Sequence, residues 1–402
     1  MTERTVDLLD GRLYSGDLGD VGEIYAWLRS QNDGVYFDEA NGVWGFASYD
    51  AVRTASIDKA TFSNAGGIRP DTGPLPMMID MDDPEHAKRR KLVSAGFTPR
   101  RVRDHADGLV AVCDQIIDQV CESGEADFVR DIAAPLPMAV IGDMLGVDPA
   151  DRDKLLQWSD DMVSAQGGNI TEEIMLGAMH AFEAYTAHAL EVIERRRADP
   201  GDDLMSILVH AEVDGDRLGI DDLVNESLLI LVGGDETSRH VLSGGMEQLM
   251  AHPEQRAALT TDRSMLAAAV EEMLRWVTPI KNMCRTATRD VEFFGGSIRE
   301  GQKAMLLYEA ANFDETRFDQ PERFDIARTP NEHLAFGFGS HFCLGNSLAR
   351  LEMVTMFDRI LERLPDLELV APDETLPRRP ATFISGLESM PVKFTPSARL
   401  AS

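Results

Sequence analysis

A cysteine in a glycine-rich loop constrains this chain more than any other feature. Residues 336–345, called the cysteine loop below, have the sequence Phe-Gly-Phe-Gly-Ser-His-Phe-Cys-Leu-Gly. Apolar residues at helical spacing follow at once, so Cys343 precedes a predicted helix. The positive end of a helix dipole favours a thiolate, and Gly339 and Gly345 allow main-chain N–H groups to approach the sulfur. A thiolate in such a place can bind a haem iron.

Two other interpretations of Cys343 compete with this one. A lone cysteine among phenylalanines is often a small buried hydrophobic residue. A zinc site would need further Cys or His residues at ligand spacing, which the neighbouring sequence lacks. The complete spacing Phe-x-x-Gly-x-His-x-Cys-x-Gly resembles the haem-binding loop of the cytochrome P-450 superfamily. The resemblance implies that Cys343 is the axial ligand of a haem b iron and that Phe336 and Gly345 lie against the haem.

Length and charge limit the class of protein. The chain has 402 residues and a formal net charge of −30. One hydrophobic core usually serves about 250–300 residues, so either a large cofactor-centred domain or two domains would fit. The negative charge argues against nucleic acid and anionic membranes as partners. Four scattered cysteines, no signal-peptide pattern and no long apolar run predict a soluble, cytoplasmic protein without a membrane anchor.

Helical periodicity dominates the rest of the chain and predicts a mainly α fold with minor β structure. The predicted helices are 49–58, 85–95, 101–122, 136–145, 152–165, 174–197, 202–212 and 221–252. The predicted strands are 35–37, 43–47, 291–296 and 302–307, and the first two are joined by a turn containing Asn41-Gly42. Residues 64–83, called the wall loop below, are rich in Gly, Pro and Met, and so long an irregular segment is usually functional.

The superfamily resemblance turns this pattern into a specific fold. It implies one domain over residues 1–402, shaped as a triangular prism of helices, with a small β-rich part near residues 34–60 and 280–310. The haem would lie between the long helix 221–252 and the helix that follows the cysteine loop. The chain is expected to be a monomer.

The long helix carries a second motif, Gly233-Gly234-Asp235-Glu236-Thr237. Two glycines inside a helix cost about 1 kcal/mol each relative to alanine, which calls for a compensating role. They could let a flat ligand approach the backbone, or they could only allow close helix packing. A similarity to the Gly-Gly-Asp-Glu motif of nucleotide cyclases is set aside, because that motif lies on a hairpin. The resemblance implies that Gly233 contacts the haem and that Glu236 and Thr237 relay protons during oxygen activation.

A Glu-x-x-Arg motif occurs next, at Glu272 and Arg275. Residues three apart on a helix can pair, and an exposed pair of this kind contributes little. In the superfamily this pair is joined by an arginine from a Pro-Glu-Arg-Phe stretch, which here is Arg323. The resemblance implies a structural network that fixes the cysteine loop.

Haem carries two carboxylates, so the site must supply cations. The resemblance implies that four residues bind these propionates in charge-assisted hydrogen bonds. They are His86, Arg90, Arg285 and His341.

Several stretches resemble a narrower group, the actinobacterial steroid side-chain hydroxylases, which oxidise the terminal methyl of cholesterol or cholest-4-en-3-one. These stretches are 66–70, 77–84, 233–240 and 281–286. A long apolar substrate needs an apolar channel, and methionines suit an adaptable wall. Core packing would explain the same side chains equally well. The candidate lining residues are Ile68, Met77, Met78, Leu229, Val232, Gly233, Thr237, Pro279, Ile280, Phe383 and Ile384.

The implied function is a monooxygenase that uses haem, O2 and electrons from NAD(P)H through ferredoxin reductase and ferredoxin. A basic cluster in the acidic chain is the predicted ferredoxin surface, although a merely solvated face would look the same. It comprises Lys88, Arg89, Lys91, Arg100, Arg101 and Arg103. The alternatives are another hydrophobic substrate (a fatty acid, a terpenoid or another steroid), a peroxide-driven peroxygenase, and a haem sensor without catalysis.

Overall fold

The computed structural model describes residues 4–165, 170–213 and 215–400, apart from the side chains of residues 99 and 103–107. Helices make up most of this part of the chain. They are α1 (Gly11–Ser15), α2 (Val21–Arg29), α3 (Tyr49–Ile57), α4 (Glu85–Ser94), α5 (Pro99–Val120), α6 (Pro135–Met144), α7 (Arg152–Ser164), α8 (Glu172–Ala198), α9 (Leu204–His210), α10 (Ile220–Ala251), α11 (Pro253–Thr261), α12 (Leu266–Val277), α13 (Tyr308–Asn312) and α14 (Asn346–Arg363).

The strands form three small sheets. Their bounds are β1 (Val35–Asp38), β2 (Val43–Phe46), β3 (Phe62–Ser63), β4 (Glu125–Asp127), β5 (Asn282–Ala287), β6 (Val291–Phe293), β7 (Gly296–Ile298), β8 (Lys303–Leu307), β9 (Glu368–Leu369) and β10 (Pro391–Lys393). The largest sheet has the order β1-β2-β8-β5-β3, in which β2 and β8 are parallel and the other pairs are antiparallel. Four strands of this sheet, β1, β2, β5 and β8, lie within residues 34–60 and 280–310, and β1 and β2 form the predicted hairpin.

Helix α10 is the central element of the helical part. Asp222 accepts a hydrogen bond from the main-chain N–H of Gly219 and so caps its start, and Pro253 follows its end. Its 32 residues span about 48 Å. A side chain at Gly244 would collide with Val277 of α12, so this glycine allows the two helices to pack closely. Helix α10 also packs against α6 and α14 in the main hydrophobic core.

Helix boundaries differ from the predicted ones by one to two residues in most cases, as fraying ends commonly do. The predicted strand 291–296 is wrong in one respect. Phe294 and Gly295 both have positive φ, at 46° and 77°, and turn the chain between β6 and β7. The helices α1 and α2 and the sheet of β4, β10 and β9 were not predicted. Among the described residues, no helix combines the length and the apolar character needed to cross a membrane.

Candidate active site

A large cavity lies between α10 and the cysteine loop. It contains about 1350 Å³ of empty space, part of which is open to solvent. Helix α10 contributes Gly233 and Thr237 to its lining, and the cysteine loop contributes Cys343. The two motifs that the sequence singles out therefore face one space, although they are more than 100 residues apart.

Glycines and main-chain hydrogen bonds shape the cysteine loop. Gly337 and Gly339 have positive φ values of 69° and 75°, a conformation that other residues rarely adopt. A side chain at Gly339 would begin 2.5 Å from the carbonyl oxygen of Ser56, so this position tolerates only glycine. The Cys343 N–H donates to the Phe336 carbonyl at 2.9 Å. The sulfur is thereby presented to the cavity just before α14 begins.

The electrostatics of Cys343 differ from the sequence-based expectation. Burial raises the pKa of its thiol, and the main-chain N–H groups of Gly345 and Asn346 and the charges of Arg90 and Arg350 offset this only in part. The loss of hydration therefore outweighs the helix dipole. A positive metal ion bound to the sulfur would supply the missing stabilisation of the thiolate.

One edge of the cavity carries two arginines and two histidines. His86, Arg90, Arg285 and His341 all line it, as the sequence predicts for propionate ligands. The rings of His86 and His341 stack with their centroids 3.9 Å apart. Burial, together with the nearby charges of His86, Arg285 and Arg90, lowers the pKa of His341 to about 3. The two arginines of this edge suit a ligand with two carboxylates, and the neutral histidines can still donate hydrogen bonds to it.

The opposite wall leaves room for a flat group. No atom lies within 4 Å of the place where a side chain at Gly233 would begin, whereas one at Gly234 would meet Ile141 of α6 at 2.7 Å. Gly233 therefore opens the cavity and Gly234 allows helix packing. Together with the Cys343 sulfur and the edge that holds Arg90 and Arg285, this open wall fits an iron porphyrin, and Phe336 and Gly345 complete the predicted contact set.

Thr237 and Glu236 lie on different faces of α10. The Thr237 hydroxyl donates to the Gly233 carbonyl at 2.8 Å and faces the cavity. Its proton is thus engaged, and its oxygen can accept a hydrogen bond from a group in the cavity. Glu236 does not line the cavity. It is fully buried and pairs with Arg239 and, at 3.0 Å, with Arg379.

Arg239 connects this buried acid to the protein surface. It also pairs with Asp160 of α7 at 2.9 Å, and the Asp160 side chain is about one third exposed. A path of charged groups therefore runs from solvent to Glu236. Glu236 and Thr237 share no direct hydrogen bond, so a relay between them needs water or a turn of the Glu236 side chain.

The Glu-x-x-Arg pair is buried, and its third partner was predicted wrongly. Glu272 accepts two hydrogen bonds from Arg275, both at 2.8 Å, and one from Arg328 at 3.0 Å. Arg323 is exposed, and the described network reaches it only through its carbonyl, which accepts from Arg328. The reason is chain direction. Phe324 turns into the core next to Arg323, so Arg323 points outward, and the chain returns to Glu272 only at Arg328.

This network reaches the cysteine loop through one asparagine. Arg275 donates to the Asn312 carbonyl at 2.8 Å, and the Asn312 side-chain oxygen accepts the Leu334 N–H at 2.7 Å. A second set of contacts supports the loop from α14, where Arg350 pairs with Glu271 and lies over the Phe336 ring. The predicted structural role of Glu272 and Arg275 therefore has a physical route.

The predicted substrate residues divide into two groups. Met78, Leu229, Gly233, Thr237, Pro279 and Ile280 line the cavity. The other five, Ile68, Met77, Val232, Phe383 and Ile384, are not among its lining residues. Ile68, Phe383 and Ile384 pack into a separate apolar cluster, with Ile280 and Met283 against it. They lie one layer behind the wall, because a stretch of apolar residues does not reveal which of them faces a cavity.

Several lining residues were missed. Apolar surface comes from Phe97 in the segment after α4, from Ile141 in α6 and from Met283 in β5. Glu352 of α14 also lines the cavity and accepts a hydrogen bond from Ser238 at 3.1 Å. Only its position on the predicted helix after the cysteine loop, nine residues beyond Cys343, could have drawn attention to it.

Arg89 does not belong to a partner-binding surface, contrary to the sequence-based prediction. It points inward and pairs with Asp222 at 2.9 Å and with the buried Glu226 at 3.2 Å. The other predicted members with described side chains are partly or fully exposed. Lys88 pairs with Asp216, and Arg101 donates to the Asp202 carbonyl. The side chain of Arg103 lies outside the described residues.

Comparison with known proteins is consistent with this geometry. Residues 169–383 match the family model described as Cytochrome P450. A steroid C26-monooxygenase of Mycobacterium tuberculosis is 57% identical over the full length of both chains. A steroid C26-monooxygenase of Mycolicibacterium smegmatis is 55% identical over 99% of this chain and 98% of its own. Among solved structures, cytochrome P450 CYP109Q5 of Chondromyces apiculatus superposes with a TM-score of 0.87 at 32% identity, covering 98% of this chain and 99% of that one.

Proposed function

The chain belongs to the cytochrome P450 family, and from that premise we propose that it hydroxylates the terminal side-chain carbon of a steroid such as cholest-4-en-3-one. It is a haem-dependent monooxygenase, an oxidoreductase that uses O2. The observation that supports the steroid most strongly is full-length identity of 55–57% to two steroid C26-monooxygenases. The apolar lining of the cavity is compatible with an apolar substrate such as a steroid.

The chain's own residues divide the work around the cofactor. Cys343 would hold the iron, while His86, Arg90, Arg285 and His341 would bind the propionates. When bound, the haem supplies the activation of O2 and the attack on a C–H bond. The apolar walls formed by residues such as Met78, Leu229 and Ile280 would orient the substrate and exclude water.

Proton supply is assigned to α10. The Thr237 oxygen, whose own proton is donated to Gly233, would accept a hydrogen bond from a water or another oxygen in the cavity. Glu236 would exchange protons with water that reaches it along the charged path of Asp160 and Arg239, because the guanidinium of an arginine does not give up its own proton. Replacing Thr237 by alanine should lower the product formed per O2 consumed on the order of tenfold, because proton delivery loses its acceptor. Unchanged coupling would remove Thr237 from the mechanism.

The substrate assignment is tested by binding and by product. The haem-loaded protein is titrated with cholest-4-en-3-one, and the displacement of water from the iron is followed as a spin-state shift. Turnover with NADPH, ferredoxin reductase and ferredoxin should then give the terminally hydroxylated steroid by mass spectrometry. A shift and product with a fatty acid or terpenoid but none with steroids would refute the substrate class. Equal turnover with hydrogen peroxide alone would favour the peroxygenase alternative.

Ferredoxin is proposed to dock on the basic residues near α4 and α5, with Lys91 and Arg100 as its centre. Both side chains are exposed in an acidic protein. Electrostatic steering of this kind weakens with salt. Charge reversal at these two positions should slow reduction by ferredoxin at low ionic strength and leave steroid binding unchanged. Normal reduction of the double variant would disprove the location.

A further inference from the structure

One buried acid of α10 has no part in the chemistry assigned so far. Glu226 is completely shielded from solvent, in the N-terminal third of the helix. Its Oε1 accepts the main-chain N–H of Met78 at 2.8 Å and a hydrogen bond from Arg89 at 3.2 Å. Its Oε2 has no hydrogen-bond partner among the described residues. Burial of a carboxylate is costly, so an acid at this position calls for a role.

The position of Glu226 relates it to the cavity. Residues 3, 4, 7 and 11 positions apart lie along one helix face. Glu226 therefore shares a face with Ile230, Gly233 and Thr237, all of which line the cavity. It stands one turn beyond the last of these lining residues, at the end of the cavity that the wall loop closes.

Acids of the wall loop bind its own main chain, and on another side the Cys284 N–H of β5 donates to the Ile68 carbonyl at 2.7 Å. Asp80 accepts the N–H groups of Ile68 at 2.9 Å and Leu75 at 2.7 Å, and Asp82 accepts the N–H of Asn64 at 2.9 Å. These bonds fix the shape of the loop but do not attach it to α10. The bond from Met78 to Glu226 does so, and it joins residues 148 positions apart in the sequence.

Met78 is the point at which this attachment affects the cavity. Its side chain lines the cavity, as does that of Ile79. The short 3-10 turn Met78–Asp80 begins at the residue whose N–H Glu226 accepts. A shift of this N–H would therefore move two lining side chains together.

We propose that Glu226 is a positioning residue that ties the wall loop to α10 and thereby sets the affinity for the substrate. Arg89 supports it from α4, and Asp222, one turn earlier on α10, holds the other side of Arg89. Arg89 thus acts on the substrate side of the molecule. The inference rests on the proposed function only for the identity of the ligand, not for the attachment itself.

Burial raises the pKa of Glu226 to about 7, and the Met78 N–H and the Arg89 charge oppose this shift. The acid therefore changes its charge near neutral pH. Its carbonyl oxygen can accept the Met78 N–H in either form, whereas the attraction to Arg89 needs the ionised form. The hydrogen bond to the loop is the constant part of the attachment.

The experiment compares three variants of the haem-loaded protein. Glu226→Met keeps the length of the side chain and removes the acceptor. Glu226→Gln keeps an acceptor for the Met78 N–H and removes the charge. Asp222→Asn is the matched control, because it also removes a carboxylate partner of Arg89 but does not touch the loop. Amide hydrogen exchange of residues 77–81 and the dissociation constant of cholest-4-en-3-one are measured for each.

Glu226→Met should speed exchange of residues 77–81 and raise the dissociation constant, each about tenfold, as expected for a lost buried hydrogen bond. Glu226→Gln should restore both to within about threefold, and Asp222→Asn should leave exchange close to that of the natural protein. Turnover at saturating substrate should change little while KM rises. If Glu226→Met does not retain haem, Glu226→Ala carries the same prediction.

Unchanged exchange in the methionine variant would overturn the proposal, and so would faster exchange with unchanged affinity. The proposal would also be overturned if Glu226→Gln showed the same fast exchange and weak affinity as Glu226→Met. The hydrogen-bond acceptor would then not be what holds the loop. If the natural protein does not bind the steroid, the proposed function fails instead. In that case a bulky N-arylmethyl imidazole, whose ring nitrogen can bind a haem iron, replaces the steroid in the affinity measurement.

Discussion

The cysteine loop and the wall loop border the same cavity but are held in opposite ways. The cysteine loop contains no acidic residue, and glycines and main-chain hydrogen bonds fix its path. The wall loop depends on carboxylates, the buried Asp80 and the partly exposed Asp82 from within and the buried Glu226 from α10. The difference teaches that the cofactor side is shaped mainly by backbone geometry, whereas the substrate side depends on ionisable side chains.

The largest expected effect tests the support behind the cysteine loop. Glu272→Ala leaves the buried Arg275 without its carboxylate, which typically costs about 3–5 kcal/mol of unfolding free energy. Expression of this variant should yield little folded, haem-loaded protein. Haem content and chemical denaturation measure this.

The two arginines provide the matched pair for this test. Arg328→Ala should destabilise strongly because it removes a direct partner of Glu272, whereas Arg323→Ala should stay within about 0.5 kcal/mol of the natural protein. Equal effects of the two substitutions would contradict the corrected network.

A glycine substitution tests whether backbone geometry alone shapes the cysteine loop. Gly339→Ala combines a φ of 75° with a contact of 2.5 Å to the Ser56 carbonyl, and we expect a loss of about 3 kcal/mol. Gly301→Ala is the control, because Gly301 has a φ of 81° with open space around it and should lose about 1 kcal/mol. Denaturant unfolding of both variants measures the difference. If both variants lose the same unfolding free energy, the close contact between Gly339 and Ser56 does not contribute to the loss.

The corresponding test of the wall loop removes an acid. Asp80→Ala leaves the N–H groups of Ile68 and Leu75 without an acceptor, which should destabilise the loop by about 2 kcal/mol. Steroid affinity should fall while the haem remains bound, as shown by titration and by haem content. Loss of haem with normal steroid affinity would reverse the comparison between the two loops.

The smallest expected effect is a pH dependence. Burial raises the pKa of Glu352 to about 8, and the nearby charge of Asp235 adds to the shift. The folded protein then holds a proton that the unfolded chain releases above its ordinary pKa near 4.5. The unfolding free energy should therefore fall as pH rises between about 4.5 and 8, by about 1 kcal/mol from pH 6 to pH 7.

Glu352→Gln should flatten this dependence, because the amide has no proton to lose. Denaturant midpoints of the natural protein and the variant between pH 5 and pH 8 provide the measurement. Parallel pH profiles would place the pH response in other groups, such as Glu226 or Asp235.

The sequence predicted the cysteine loop well because its requirements are local. A cysteine, the flanking glycines and the start of a helix occur within ten residues, and helix α10 was visible from its periodicity and its terminating proline. The contacts between remote residues were not visible. Whether Arg323 or Arg328 pairs with Glu272 depends on where the chain turns back after the buried Phe324. The inward direction of Arg89 depends on Glu226, which lies 137 residues away.

The ferrous–carbon monoxide absorption spectrum of the haem-loaded protein tests the central claim most directly, since it reports whether a thiolate binds the iron. We predict the red-shifted Soret band typical of thiolate-ligated haem for the natural protein and its absence in Cys343→Ser. A natural protein without that band, or a serine variant that retains it, would contradict the account.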